Sequence, residues 1–434
     1  MKISKPAQNR FSIDLPLPKK SNPSSEMKAS VKLSVITQFF PPDYAATGQL
    51  IEELTKSLGF EGVDVEVFTG QPGYAFGDSH APAREEVGRV RIQRTRATNV
   101  WHQRIRGKTL GGVLFTIRAM LHLLRHGSCY NILLLTTAPP FLPIVGYLIH
   151  IFYRIPYVCI LYDLYPDIAI ALNVVQKNHW LAKVWQSLNK RIWRKASGIV
   201  VLSPAMKQRV TGICPEVSEK ISVIHSWGNP EIVKPIPKKD NWFAKKYDLN
   251  NKFTVLYSGN MGRCHDVDTI LETAKLLKDE PIQFLCIGAG AKHKQLIKEI
   301  EQLKLNNFLF LPYQDKQVLP YSLTACDLSL VSVDKGFESL VAPSKLYPAL
   351  ATGRPVAVVC PQTSYLKQLI ADGRCGSTFE NGDSEGLAKF IQNLQQNRNL
   401  AKKMGIRARE YMESHFSSKV ITKQYLEVLY QAKK

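Results

Sequence analysis

A chain of 434 residues is too long for one ordinary core and suits two α/β domains of roughly 200 residues each. Its formal net charge of +21, from 57 Lys and Arg against 36 Asp and Glu, asks for an anionic partner: nucleic acid, acidic lipid or a diphosphate. Apolar residues at 45 % and charged residues at 21 % are ordinary for a soluble globular protein, and eight scattered Cys with no CxxC pair exclude a Cys-based metal site and fit reduced, buried thiols.

Residues 1–30 mix Lys, Pro, Ser and Asn without a continuous apolar run, so a disordered tail and no signal peptide are expected there. Leu33–Thr37 reads as a strand, followed by a loop with Pro41, Pro42 and Gly48, a helix over Gln49–Gly59 and an alternating strand over Val63–Thr69. That is a βαβ unit. A helix is expected over Val113–Leu124 and a strand over Asn131–Leu135. The apolar stretch from Pro139 to Tyr162 carries His150, Arg154, Pro143 and Pro156. It reads as a buried helix followed by a strand rather than a membrane span, which needs roughly 20 uninterrupted apolar residues.

Gly198–Leu202 is a strand running into Ser203 and Pro204, an N-cap and first-position pair that starts a helix. Ile221–Ile224 closes the first half. The Pro- and Lys-rich stretch from Ser226 to Asp240 reads as the interdomain linker. The alternation then restarts, with strands at Phe253–Tyr257, Ile282–Ile287, Phe308–Leu311, Leu328–Val333 and Val356–Val359, and helices including Val267–Lys278 and Leu346–Thr352. The fold class is therefore α/β, two doubly wound Rossmann-like domains, with ligands outside the carboxyl ends of the strands. The expected division is a tail over 1–30, a first Rossmann-like domain over 31–230, a second over 231–410, and a C-terminal helix over 411–434.

Several loops carry a recognisable series: Phe-Phe-Pro-Pro-Asp-Tyr-Ala-Ala-Thr-Gly-Gln-Leu (39–50), Tyr-Ser-Gly-Asn-Met-Gly-Arg (257–263), Phe-Leu-Cys-Ile-Gly-Ala-Gly (284–290), Ala-Pro-Ser-Lys-Leu-Tyr (342–347), Ala-Thr-Gly-Arg-Pro-Val (351–356) and Cys-Gly (375–376). Over roughly residues 32–430 the chain resembles the family 4 retaining glycosyltransferases, in the branch found in exopolysaccharide and colanic-acid clusters. The resemblance implies the GT-B fold, with two domains facing across a cleft. It also implies a nucleoside-diphosphate sugar on the C-terminal domain, no metal or other cofactor, and retention at the anomeric carbon.

In Ser258–Arg263, Gly259 and Gly262 sit between a strand and a helix, where backbone N–H groups approach a phosphate. Asn260 lies between them, and Arg263 suits a diphosphate bidentately, against a plain turn with a solvated Arg. His265 assists there or is an ordinary surface His. Lys345 opens a helix, where its charge is wrong for the macrodipole; a bound diphosphate supplies the missing reason. Ser344 suits helix capping as well as phosphate binding. The family's pair of Glu seven residues apart is absent: Leu340 and Pro348 stand in its place. Glu338, two residues early, is the stand-in near the donor sugar, or a solvated carboxylate. Gly48 is implied to face the pyrophosphate across the cleft. Asp163, in Leu-Tyr-Asp-Leu-Tyr-Pro-Asp, matches the branch's Asp-Leu-x-Pro pattern and suits orienting or deprotonating the acceptor; helix capping fits Asp167 better.

Tyr74 lies in the same half, and Trp101, Arg104, Arg106 and Lys108 form a basic-aromatic cluster, followed by Arg118 and Arg125 on a helix. Such a mixture suits an anionic membrane surface or the acceptor, or else a solvated loop and packed helix. The expected partners are thus a nucleoside-diphosphate sugar, a lipid-linked or glycan acceptor and an anionic membrane surface. The expected place is the cytoplasm, peripheral at the inner membrane face. A sugar-nucleotide 2-epimerase of the same fold is the alternative enzyme. A nucleic-acid binder is a third class, but no nucleic-acid module is present and the basic residues are dispersed.

Overall fold

The computed structural model describes residues 31–43, 45–72, 81–96 and 105–433, without the side chains of residues 105, 106 and 108. Two twisted sheets organise them. The first holds β1 (Lys32–Ile36), β2 (Asp64–Thr69), β3 (Arg84–Val87), β4 (Val90–Arg94), β5 (Ile132–Thr136), β6 (Tyr157–Leu161), β7 (Gly198–Val201) and β8 (Ile221–Val223), in the order β3-β4-β2-β1-β5-β6-β7-β8. All its pairings are parallel except β3 with β4. The second holds β9 (Phe253–Ser258), β10 (Ile282–Ile287), β11 (Phe308–Leu311), β12 (Leu328–Ser332), β13 (Val356–Val359) and β14 (Gly376–Phe379), all parallel, in the order β11-β10-β9-β12-β13-β14.

The central strands are covered on both faces, so they read as continuous apolar runs; Ile-Leu-Leu-Leu-Thr of β5 is buried at every position. Helices supply the covering layers. The helix Ala46–Phe60 buries Gly48, Ile51, Leu54, Thr55 and Leu58, a 3.6-period stripe laid on the first sheet. Pro139–Tyr162 resolves into the helix Pro143–Tyr153 and strand β6, as its prolines and length imply. No helix among the described residues is long and apolar enough to cross a membrane.

Two elements depart from the expectation. Asp167 caps nothing: it lies inside the short helix Asp167–Ala171, whose cap position is Pro166, and its carboxylate pairs with the Arg209 guanidinium. A charged partner outcompetes a single backbone N–H there. The second is the hairpin β3–β4, where Gly88 (φ 61°) starts a two-residue turn.

The lobes are joined twice, side by side. The outgoing passage after β8 runs through Trp227 and Gly228, and Gly228 bridges in parallel to Ser417 on the return. Arg409 fastens the linker to the second lobe by donating to Ala351 O (2.7 Å) and Pro230 O (2.9 Å). After the helix Arg398–His415 the chain returns, and the helix Ser418–Lys433 packs on Ala46–Phe60 and β7 of the first lobe.

Candidate active site

The carboxyl ends of both sheets face a cleft of about 560 Å³ between the lobes. From the second lobe, the turn after β9 builds one wall. Gly259 (φ +129°) takes a conformation L side chains rarely adopt, and a Cβ there would stand 3.5 Å from the Lys345 side chain. Gly290 (φ +151°) lies against Met261 O; a Cβ would be 2.4 Å from it, so only Gly lets the turns after β9 and β10 interlock. The N–H groups of Gly259 and Gly262 are engaged within the protein, by Ile287 O (2.8 Å) and by His265 Nδ1 (3.1 Å). What this turn offers a ligand is therefore mainly side chains.

Lys345 stands at the centre of that wall. It occupies the N-cap position of the helix Leu346–Ala351, and its Nζ turns back to donate to Tyr257 Oη (2.5 Å) and Asn260 O (3.0 Å), 4.1 Å from the Tyr257 ring centroid. No carboxylate pairs with it among the described residues. Burial without a counter-charge lowers its pKa to about 7. His265 is held neutral, its pKa lowered to about 3 by burial and then by Lys345. Because Nδ1 accepts from Gly262, the ring proton sits on Nε2. Ser344 does not cap the helix, which has no side-chain cap: its carbonyl accepts from Tyr347 N–H, and the hydroxyl is left to the cleft it lines.

The opposite wall comes from the first lobe. Thr137 Oγ1 accepts from the N–H groups of Tyr162 (3.1 Å) and Asp163 (3.4 Å), fixing the loop after β6. Asp163 lines the cleft without a hydrogen-bonded or ion-paired partner for its carboxylate among the described residues, and burial raises its pKa to about 6. It is near enough to Cys264 of the other lobe to push that thiol's pKa further up, after burial. Contacts across the cleft include Leu164 N donating to Leu340 O (3.3 Å) and Lys316 pairing with Glu52 (3.1 Å). Beside them Glu53, its pKa raised by burial, accepts from Trp227 Nε1 (3.0 Å).

The cleft thus gathers Asp163, Gly259, Asn260, His265, Ser344 and Lys345. Gly262 stands one step behind, as the donor to His265. Gly48 is inside its helix, 3.0 Å (as a Cβ) from the Phe39–Phe40 backbone, where it lets the helix approach that loop. Arg263 is exposed and makes no hydrogen bond or ion pair among the described residues. Glu338 lies outside the cleft lining: Oε1 accepts from Thr363 (3.1 Å) and Oε2 is buried without a partner. Tyr74, Trp101 and Arg104, with the side chains of Arg106 and Lys108, lie outside the described residues. Tyr257, Glu53, Trp227 and Lys316 were not singled out from sequence. Tyr257 and Trp227 had a signal, an aromatic residue one or two positions before a Gly; Glu53 and Lys316 had none.

A family model described as "Glycosyl transferase 4-like domain" matches residues 46–227, and one described as "Glycosyl transferases group 1" matches residues 238–411. Together they span both sheets and both walls of the cleft. The chain belongs to the GT-B glycosyltransferases. It is 26 % identical over 245 residues to the probable glycosyltransferase WbjE of Pseudomonas aeruginosa, covering 55 % of this chain and 59 % of that one. It is 30 % identical over 181 residues to the putative colanic acid biosynthesis glycosyl transferase WcaI of Escherichia coli, covering 41 % and 43 %. The chain spans about half the length of these curated relatives. In fold, this chain is similar to Alr3699/HepE of Anabaena. That protein is solved with UDP (TM-score 0.68, 16 % identity, 92 % of this chain and 100 % of that one) and with UDP-glucose (TM-score 0.65, 17 % identity, 92 % and 99 %).

Proposed function

We propose that this protein transfers a sugar from a nucleoside-diphosphate sugar to an acceptor hydroxyl, with retention at the anomeric carbon, as a family 4 enzyme. The observation that carries the reading is Lys345, a half-buried ammonium on the cleft wall with no carboxylate beside it. A diphosphate supplies the missing negative charge, and burial strengthens the attraction by lowering the local dielectric. Asn260, His265 Nε2–H and Ser344 add neutral donors around it, and the exposed Arg263, outside the cleft lining, is the further cation for the diphosphate. Positive side chains then stabilise the leaving diphosphate without a divalent ion.

Asp163 stands on the acceptor side of the same cleft. As a carboxylate it orients the acceptor hydroxyl or stabilises positive charge on the sugar ring, while the leaving diphosphate helps take the proton. The acceptor is a lipid-linked glycan of exopolysaccharide or cell-surface polysaccharide synthesis, reached at the inner face of the membrane. The uridine nucleotides bound by the Anabaena protein make UDP the first probe.

The test is a thermal-shift titration with UDP, GDP, ADP and CDP, because a ligand that binds only the folded state raises the melting temperature by mass action. At least one is expected to shift the parent and not Lys345→Ala. A parent that responds to none overturns the reading. Product anomeric configuration, read by proton NMR, decides retention.

A further inference from the structure

The first lobe carries an apolar face that the sugar-transfer chemistry does not use. On the helix Ile105–His126, Leu110, Val113, Ile117, Leu121 and Leu124 are all exposed, at a spacing of three and four residues, which places them in one stripe. Ile117 alone is 52 % exposed. The helix Pro143–Tyr153 packs beside it and ends in Ile151 and Phe152, the latter 66 % exposed. The helix Trp180–Lys195 also packs against Pro143–Tyr153 and carries Trp180 and Val184 near its start, 65 % and 57 % exposed. Large apolar residues singly exposed are ordinary; three adjacent helices turning them outward together mark a contact surface.

Charge says what covers it. From Val87 to Pro215 the sequence has 18 Lys and Arg and two acidic residues, Asp163 and Asp167, so 16 of the 21 net positive charges come from this segment. Asp163 lines the cleft and Asp167 is paired with Arg209. The three helices themselves contain no Asp or Glu at all. An apolar face on helices that carry cations and no carboxylate, with Arg194 alone of their cations ion-paired among the described residues, to Glu216, fits an anionic lipid surface, in which apolar side chains enter the headgroup–acyl boundary while Arg and Lys meet the headgroups.

The face is also connected to the cleft. Phe141 lies 6.5 Å from Trp185, and Trp185 stacks on Tyr165 (5.9 Å, 15°), two residues from Asp163. All three rings are half-buried. Gly112 brings the first helix against this strip, its Cβ position 3.0 Å from Pro139 and 3.4 Å from Phe141.

We propose that the outer face of these three helices docks on an anionic bilayer, and that the Phe141–Trp185–Tyr165 strip leads a lipid-linked acceptor from that surface to Asp163. The second half rests on the sugar-transfer reading; the docking itself does not. The test is co-sedimentation of the whole chain with phosphatidylglycerol vesicles and with phosphatidylcholine vesicles at about 0.1 M salt, where the Debye length is about 10 Å. The parent is expected to bind the anionic vesicles and far less the neutral ones, and to be released by high salt. Leu121→Glu with Val184→Glu changes exposed side chains only; it is expected to cut anionic-vesicle binding by about tenfold or more, at the parent's melting temperature and with the parent's UDP-induced shift. A double variant that sediments like the parent overturns docking by this face. So does a parent that ignores anionic vesicles, or a parent dimer that the substitutions turn into a monomer. If vesicle binding behaves as expected but no nucleoside diphosphate binds, the docking stands and the sugar-transfer reading falls.

Discussion

Lys345 gives the sharpest handle on the donor site, because its protonation and its ligand are linked. With a pKa lowered to about 7 from the ordinary 10.5 by burial, the free protein holds the ammonium at pH 6.5 and loses it above pH 7. A sugar nucleotide's diphosphate has no proton of its own to lose in that range and raises the lysine pKa when bound. Below pH 7 the dissociation constant should therefore be flat. Above it, binding must take up one proton at Lys345, and each further pH unit weakens affinity by up to about tenfold, or about 1.4 kcal/mol. From pH 7, where half of the ammonium is already lost, to pH 8.5 the rise should reach about 15-fold. Asp163, at about 6, and His265, at about 3, do not titrate inside that window. Lys345→Met removes the charge while filling the space. At pH 6.5 it should lose the charged hydrogen bond, about 1.5–3 kcal/mol or roughly 10- to 150-fold. At pH 8.5 it should approach the parent. Isothermal titration of the donor at four pH values reads both curves. A slope that persists in Lys345→Met, or a parent curve flat from pH 6.5 to 8.5, would refute the placement of phosphate on this ammonium.

Asp163 is expected to act as the carboxylate, so kcat/KM should fall as pH drops through about 6, where its raised pKa returns the proton. Asp163→Asn should lose about 100-fold or more in rate together with that acid limb; a variant that keeps the limb points to another group. Arg263→Ala, at an exposed position, should weaken donor binding by about two- to tenfold, or 0.4–1.4 kcal/mol, without changing the melting temperature, and unchanged affinity would remove it from the site. Transfer should survive EDTA; a full loss restored by Mg²⁺ or Mn²⁺ would assign the diphosphate to a metal instead of Lys345. Gly290→Ala forces a Cβ to 2.4 Å from Met261 O at φ +151°, and should cost about 2–4 kcal/mol in urea unfolding.

What the sequence made legible follows from what each element must satisfy locally. The parallel strands are buried on both faces, so β1, β5, β6 and β7 show as apolar runs, and Ser203-Pro204 announces its helix because the cap and the first helical position have local requirements: the Ser203 hydroxyl accepts from Met206 N (3.2 Å). The antiparallel edge β3–β4 was not legible. Arg84, Glu85 and Glu86 carry the charge that protects an exposed sheet edge, and charge there resembles a loop. The short edge strand β14 has the same difficulty, with three of its four residues half-buried.

Site residues divide along the same line. Lys345 could be found because its charge conflicts with its place at a helix start, and the structure explains the conflict locally through Tyr257 and Asn260 without supplying a counter-ion. Asp163 could be found because it ends an apolar strand. Glu53 and Lys316 could not, since each gains its position from a partner in the other lobe or the linker: Lys316 from Glu52, 264 residues away, and Glu53 from Trp227, 174 residues away. The same separation explains the cleft's chemistry. Asp163 and Lys345 face it from different lobes, both half-buried and neither given an opposite charge, and their ordinary pKa values, near 4 and above 10, are drawn in to about 6 and about 7. Within a lobe a folding chain could pair such charges. Held on opposite walls they stay unpaired, and a ligand with a diphosphate at one end and a reacting sugar at the other satisfies the lysine directly and gives the carboxylate a developing positive charge to answer.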